Sequence, residues 1–177
     1  MKCTDLLFQD HIIILRALDI LDRMGASLGK NEPVDPEDIR DVLRFLRIFA
    51  DEHHQAKEES VLFPQLFAVP GLQHASLRHM LFEHDQERSL IEGLEDALKT
   101  KKGPDFRHYA HRLSGILRAH IDKENNSLFE IAERSLSQEQ HDRIVAEFEK
   151  FDLGWENREE LNDNLHRLER KYLGIAA

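Results

Sequence analysis

The sequence predicts an all-α chain, an up-down-up-down four-helix bundle with additional C-terminal helices, on three observations. Apolar residues recur at three- and four-residue spacing over long blocks, the mark of amphipathic helices. Breaks rich in Gly and Pro separate the blocks: residues 25–36, Val69-Pro70-Gly71 and Lys101-Lys102-Gly103-Pro104. No stretch alternates as a strand does, and connections this short most simply set successive helices antiparallel around one core.

The first helix is expected over about residues 5–24, with Leu7, Ile14, Leu15, Leu18 and Leu21 inward and His11 within that stripe. Residues 25–36 read as a loop. Asp35-Pro36-Glu37-Asp38 then starts a second helix, because Pro fits the first turn and acids suit the positive end of the helix dipole. That helix, about 36–63, carries Val42, Leu43, Leu46, Phe49 and Ala50 inward, passes through His54 and Glu58, and is expected to end or kink near Pro64. A third, about 73–99, buries Leu77, Met80, Leu81, Leu90, Ile91, Leu94 and Leu98, with His84 on the stripe. A fourth, 105 to about 133, leads through Tyr109, Leu113, Ile116 and Leu117 to His120 and Glu124. Ser137-Gln138-Glu139-Gln140 is a capping box that opens a short helix through Ile144, Phe148 and Phe151. A last helix carries Leu161, Leu165, Leu168 and Tyr172. Phe148, Phe151 and Trp155 are expected to cover the bundle end, a dimer contact being the alternative.

At 177 residues, one domain is expected over 1–177, with the bundle at about 5–133 and a C-terminal extension at about 137–173. A net charge of −10 argues against nucleic acid or an anionic membrane surface as partner. No apolar run approaches the roughly 20 residues of a spanning helix, and the first residues lack a signal-peptide pattern, so a cytoplasmic protein, monomer or homodimer, is expected. The lone Cys3 excludes an internal disulfide and any cysteine-built zinc or iron–sulfur site. Histidine, of which there are eleven, and carboxylate remain for metal chemistry.

One phrase, His-x-x-Lys-Glu-x-x-x-Leu-Phe, is written twice, at His54 to Phe63 and at His120 to Phe129. Residues four apart on a helix lie about 40° apart round its axis, so each His and its Glu converge on one point. Adding the inward His11 and His84 gives four imidazoles and two carboxylates in one core: His11, His54, Glu58, His84, His120 and Glu124. Burying them without a partner costs several kcal/mol, which a metal would offset. The donor set suits iron, with manganese or zinc as substitutes. Two carboxylates against two divalent ions leave a local charge of about +2 and open coordination positions for water, hydroxide, oxygen or nitric oxide.

Glu59 and Asp122 read as outer partners of a ligand His or as solvated acids, and Lys57 and Lys123 as solvated charges or salt-bridge partners. Arg88 reads as a ligand neighbour or, equally, as a bundle ion pair. His53, His74, His79, His108, His111, His141 and His166 read as surface or structural.

The order His, His-x-x-x-Glu, His, His-x-x-x-Glu resembles the hemerythrin-like family, or HHE cation-binding domains. The resemblance rests on Asp10-His11, His54-Gln-Ala-Lys-Glu58 with Leu62-Phe63-Pro64, Glu83-His84 with Arg88, and His120-Ile-Asp-Lys-Glu124 with Leu128-Phe129. It implies a four-helix bundle around an oxo- or hydroxo-bridged di-iron centre. His11 and His54 would hold one iron, His84 and His120 the other, and Glu58 and Glu124 would bridge them. It further implies a small diatomic or peroxide ligand, in sensing, storage or detoxification. The alternatives are a di-iron redox enzyme (peroxide removal, iron oxidation or iron–sulfur repair) and a metal-stabilised signalling or interaction module. Oxygen carriers of the family place a fifth His one turn before the third-helix ligand, where this chain has Met80. His79 points about 140° away from His84 and is not expected to replace it.

Overall fold

The computed structural model describes residues 1–72, 74–100, 102–153 and 158–174. Gln73 and Lys101, at the expected starts of the third and fourth segments, and Trp155 lie outside these residues. Among the described residues the chain is helical apart from short connections, without strands.

Helix α1 runs Cys3–Gly29, one turn further at its end than the Gly-rich sequence suggested. Met24 is fully buried and Leu28 packs on the core, so burial outweighs the poor helix propensity of Gly25 and Gly29. Asn31, at φ 59°, takes the left-handed conformation that ends the helix.

The second rod begins at α2, Pro36–Phe45, where Asp35 caps by accepting the Glu37 N–H at 3.0 Å. It continues through π-helical turns at Leu46–Gln55 and Glu58–Leu62 into α3, Phe63–Phe67. Pro64 therefore does not end the helix, contrary to expectation. The Phe63 N–H bonds the Glu58 carbonyl five residues back, and this widened turn takes up the change that Pro64 imposes on the ladder.

The third rod is α4, Ala75–Lys99. The fourth is α5, Gly103–Lys123, running through a π turn at Glu124–Leu128 into α6, Phe129–Ser135. The π turns at Glu58–Leu62 and Glu124–Leu128 each begin at the Glu of the doubled phrase. Helix α7, Gln138–Leu153, opens on the expected capping box, in which the Gln140 N–H donates to Ser137 Oγ at 3.3 Å and the Ser137 N–H to Gln140 Oε1 at 2.9 Å. Helix α8, Arg158–Leu173, follows.

The four rods close a ring: α1 packs on α5 and the second rod, and α4 packs on the same two. Their apolar faces form two clusters. The larger holds Ile14, Leu18, Leu46, Phe49, Leu94, Leu117 and Ile121; the smaller holds Leu7, Leu62, Phe63, Met80, Leu128, Phe129 and Phe148. The spacing of the inward stripes places His11, His54, His84 and His120 between them. Helix α8 lies on α1 and α2, where Arg167 and Tyr172 reach the buried Asp38 at 2.6 and 2.7 Å and Lys171 joins them. Helix α7 lies on α1 and the Glu58–Leu62 turn, and Phe148 is fully buried there, as expected. No described helix is long and apolar enough to cross a membrane.

Candidate metal centre

Each of the four rods delivers one imidazole to the same level of the bundle, and the second and fourth each add a carboxylate one turn on. His11, His54, Glu58, His84, His120 and Glu124 are all buried, between 0% and 2% exposed. Their donor atoms form two overlapping groups, each within a mutual 4.8 Å: His11, His54, Glu58 and Glu124, and Glu58, His84, His120 and Glu124. Both carboxylates belong to both groups. Glu124 divides itself, with Oε2 at 3.2 Å from His11 Nε2 and Oε1 at 3.2 Å from His120 Nε2. Glu58 Oε2 stands 3.7 Å from His54 Nε2 and 3.6 Å from His84 Nε2.

All four rings turn Nε2 inward and Nδ1 outward to an oxygen acceptor. His54 Nδ1 donates to Asp10 at 3.3 Å and His120 Nδ1 to Glu83 at 3.0 Å. His84 Nδ1 donates to Glu59 at 2.7 Å and His11 Nδ1 to Asn125 at 2.8 Å. An acceptor on Nδ1 fixes the tautomer that leaves the Nε2 lone pair free for a cation. Phe129 stacks on His11 at 5.4 Å and Phe63 on His84 at 5.9 Å, closing the small-cluster side to water.

A family model for the hemerythrin HHE cation binding domain matches residues 3–132. The chain belongs to that family. No curated protein and no solved structure gives a significant match.

The hemerythrin-family cation is tested directly by the buried polar atoms. Neither oxygen of Glu58 or Glu124, nor Nε2 of His11, has a hydrogen-bond partner among the described residues. His84 Nε2 and His120 Nε2 approach to 3.1 Å, a distance that needs a positive charge or a proton between two lone pairs. Four neutral nitrogens and two carboxylates are a donor set for borderline and hard divalent ions, so the residues fit the group.

Crowding these groups in the core moves them away from their ordinary titration ranges. Burial, with Glu124 adding to it, pushes the Glu58 carboxyl well above the usual range. Burial acts the same way on Glu124, but the adjoining His120 and His11 outweigh it and hold it low. Burial lowers His54 to about 4, whereas at His120 the Glu124 charge overcomes burial and raises it to about 10.

Several residues read from sequence as surface or structural lie close around this hemerythrin-type centre. Lys57, 3% exposed, ion-pairs with Asp10 at 3.5 Å and Asp152 at 3.2 Å, and Lys123 pairs with Glu83. Glu59 is the outer partner of His84, as one reading expected, and Arg88 binds it at 2.6 Å and Asp51 at 2.7 Å. Asp122 instead accepts from Asn126 at 2.8 Å. His53 and His141 are buried, the first 3.1 Å from Asp152 and the second with Nδ1 3.1 Å from Cys3 Sγ. His79 is exposed and paired with Glu83 at 3.1 Å, clear of the centre. Sequence reading passed over one buried pair altogether: Gln55 Nε2 donates to Glu87 Oε2 at 2.5 Å, and burial pushes the Glu87 carboxyl up to about 7. An acid three residues after an inward His was the available signal.

Proposed function

We propose that the centre holds two iron ions, His11 and His54 on one, His84 and His120 on the other, with Glu58 and Glu124 shared, and that it binds or reacts with oxygen, nitric oxide or peroxide. The observation that carries this reading is Glu124, whose two oxygens face imidazoles from opposite halves of the site at 3.2 Å each. Bound iron supplies the redox chemistry and the exchangeable coordination positions.

The protein's part is to bind, orient and keep dry. Asp10, Glu59, Glu83 and Asn125 hold the four rings so that Nε2 points inward. Lys57 and Lys123 neutralise two of those acids, which keeps the negative charge of the shell from repelling the shared carboxylates. Phe63, Phe129, Leu62 and Leu128 exclude water from one face. Met80, 4% exposed in that same apolar face, offers no nitrogen where an oxygen carrier has one. That favours sensing or reaction over reversible carriage.

Anaerobic reconstitution with ferrous iron should give an iron-to-protein ratio of about two. Glu124→Ala should lose both ions together, and His79→Ala should lose neither. A parent protein that takes up no iron, or a Glu124→Ala variant that keeps the full complement, overturns the assignment.

A further inference from the structure

The four rods repeat in pairs, and the repeat states what belongs beside each ligand. Ile14, three after His11, corresponds to Glu87, three after His84; Ile121, next to His120, corresponds to Gln55, next to His54. Ile14 and Ile121 are 1% and 3% exposed and belong to the larger apolar cluster. Glu87 and Gln55 are as deeply buried, at 2% and 3%, yet polar. In one half of the bundle, isoleucine therefore does the packing. A buried amide and carboxyl in the other half cost stability that packing does not require.

The pair satisfies itself only in part. Gln55 Nε2 meets Glu87 Oε2, while Gln55 Oε1 and Glu87 Oε1 have no partner among the described residues. The cations nearby are committed: Arg88 to Asp51, Glu59 and Asp85, and Lys123 to Glu83. Nor does Glu87 join any group of described His, Cys, Asp and Glu side chains close enough to hold a further ion. Gln55 adjoins His54 on the second rod and Glu87 lies one turn on from His84 on α4, and their hydrogen bond joins the two rods beside the centre. Two buried oxygens call for hydrogen-bond donors. Water supplies such donors at rest; oxygen and nitric oxide carry none and cannot take its place, whereas hydrogen peroxide, with two O–H groups, can.

We propose that Gln55 and Glu87 form a binding subsite for hydrogen peroxide beside the metal centre, accepting its O–H groups at Gln55 Oε1 and Glu87 Oε1. This rests on the di-iron reading and narrows its ligand.

The test uses the full chain and three variants: Gln55→Ile with Glu87→Ile, which copies the other half, Glu87→Leu alone, and Glu87→Gln, which keeps an acceptor. Iron content, urea unfolding of the metal-free proteins, and stopped-flow reaction of the reduced, loaded proteins with hydrogen peroxide and with oxygen are measured. The apolar variants are expected to load iron as the parent does and to unfold at equal or higher urea. Their half-saturating peroxide concentration should rise about tenfold, the equivalent of one lost hydrogen bond, with the oxygen reaction unchanged. Glu87→Gln should recover most of the peroxide response. Unchanged peroxide saturation in a fully loaded double variant overturns the subsite alone. Loss of iron in the apolar variants makes the pair part of the metal shell, and a lower urea midpoint makes it structural; either overturns the proposal. A parent that takes up no iron overturns the di-iron reading, and the subsite with it.

Discussion

Asp10 and Glu83 hold equivalent places in the two halves, and replacing them should separate metal retention from folding. Each precedes a ligand His on its own helix and accepts the Nδ1–H of a ligand on the next rod: Asp10 from His54 at 3.3 Å, Glu83 from His120 at 3.0 Å. Loss of such an outer partner typically weakens metal binding 10–100-fold, about 1.4–2.7 kcal/mol. Glu83 makes the shorter bond, so Glu83→Gln should fall towards the upper end and Asp10→Asn towards the lower. Stability should rank the other way. Asp10→Asn leaves Lys57, 4% exposed in its side chain, with Asp152 alone, a loss of about 1–3 kcal/mol. Glu83→Gln leaves Lys123, 37% exposed, free to turn to water at little cost. Chelator competition on the loaded proteins and urea unfolding of the metal-free ones measure the two effects. If both variants lose metal affinity and stability in the same order, the acids do not act through the rings, and the argument fails.

Asp38→Asn should lower stability at neutral pH by about 1–3 kcal/mol by loosening α8, read from urea midpoints. Burial pushes the Asp38 carboxyl up, but Lys171, Arg167 and Tyr172 outweigh it and hold it below its unfolded value. Its contribution is therefore present above pH about 4 and lost as pH falls through the lowered native value, so parent and variant should converge only in acid. Gly93→Ala should destabilise by about 1 kcal/mol in thermal unfolding despite alanine's better helix propensity, because a β-carbon there would stand 2.9 Å from the Tyr109 ring where α4 meets α5. Glu59→Asn gives His84 the neutral partner that Asn125 gives His11. Chelation of the parent should remove the two ions at different rates, and this variant should bring the rates together; equal rates in the parent would refute the inequivalence.

The clustering of His11, His54, Glu58, His84, His120 and Glu124 was legible because helical periodicity is a statement about direction: an inward His and a Glu four residues on must share a side of the rod, whatever the loops do. The fold class followed from the same stripes. Less was legible where a contact joins distant rods. Lys57 sits one residue from Glu58 in the phrase and looked like a solvated charge, since nothing local reveals that Asp10, from α1, and Asp152, from α7, both come to meet it. The end of α1 at Gly29 and the passage of the second rod through Pro64 were misread for a related reason. Gly and Pro report local backbone preference, and here tertiary burial of Met24, Leu28 and Leu66 overrode it.

The repeat also explains why its lysine is repeated. Lys57 pairs with Asp10, which holds His54; Lys123 pairs with Glu83, which holds His120. In each half the phrase supplies the ring, the cation and the carboxylate, and the preceding helix supplies the acid that ties them. Such a module needs its partner helix to be complete, which is why two copies fit into one bundle around one centre. The copies then diverge in one direction. Between the second rod and α4 run Asp51, Arg88 and Glu59, then Gln55 and Glu87; the corresponding positions between the fourth rod and α1 are Leu117, Leu15, Asn125, Ile121 and Ile14. Arg88 and Glu59 are 29% and 28% exposed, so this polar seam connects the buried ligand His84 with solvent while the opposite seam is largely hydrocarbon. A centre whose side chains repeat in pairs is thus flanked by a charged seam on one side and a largely apolar one on the other.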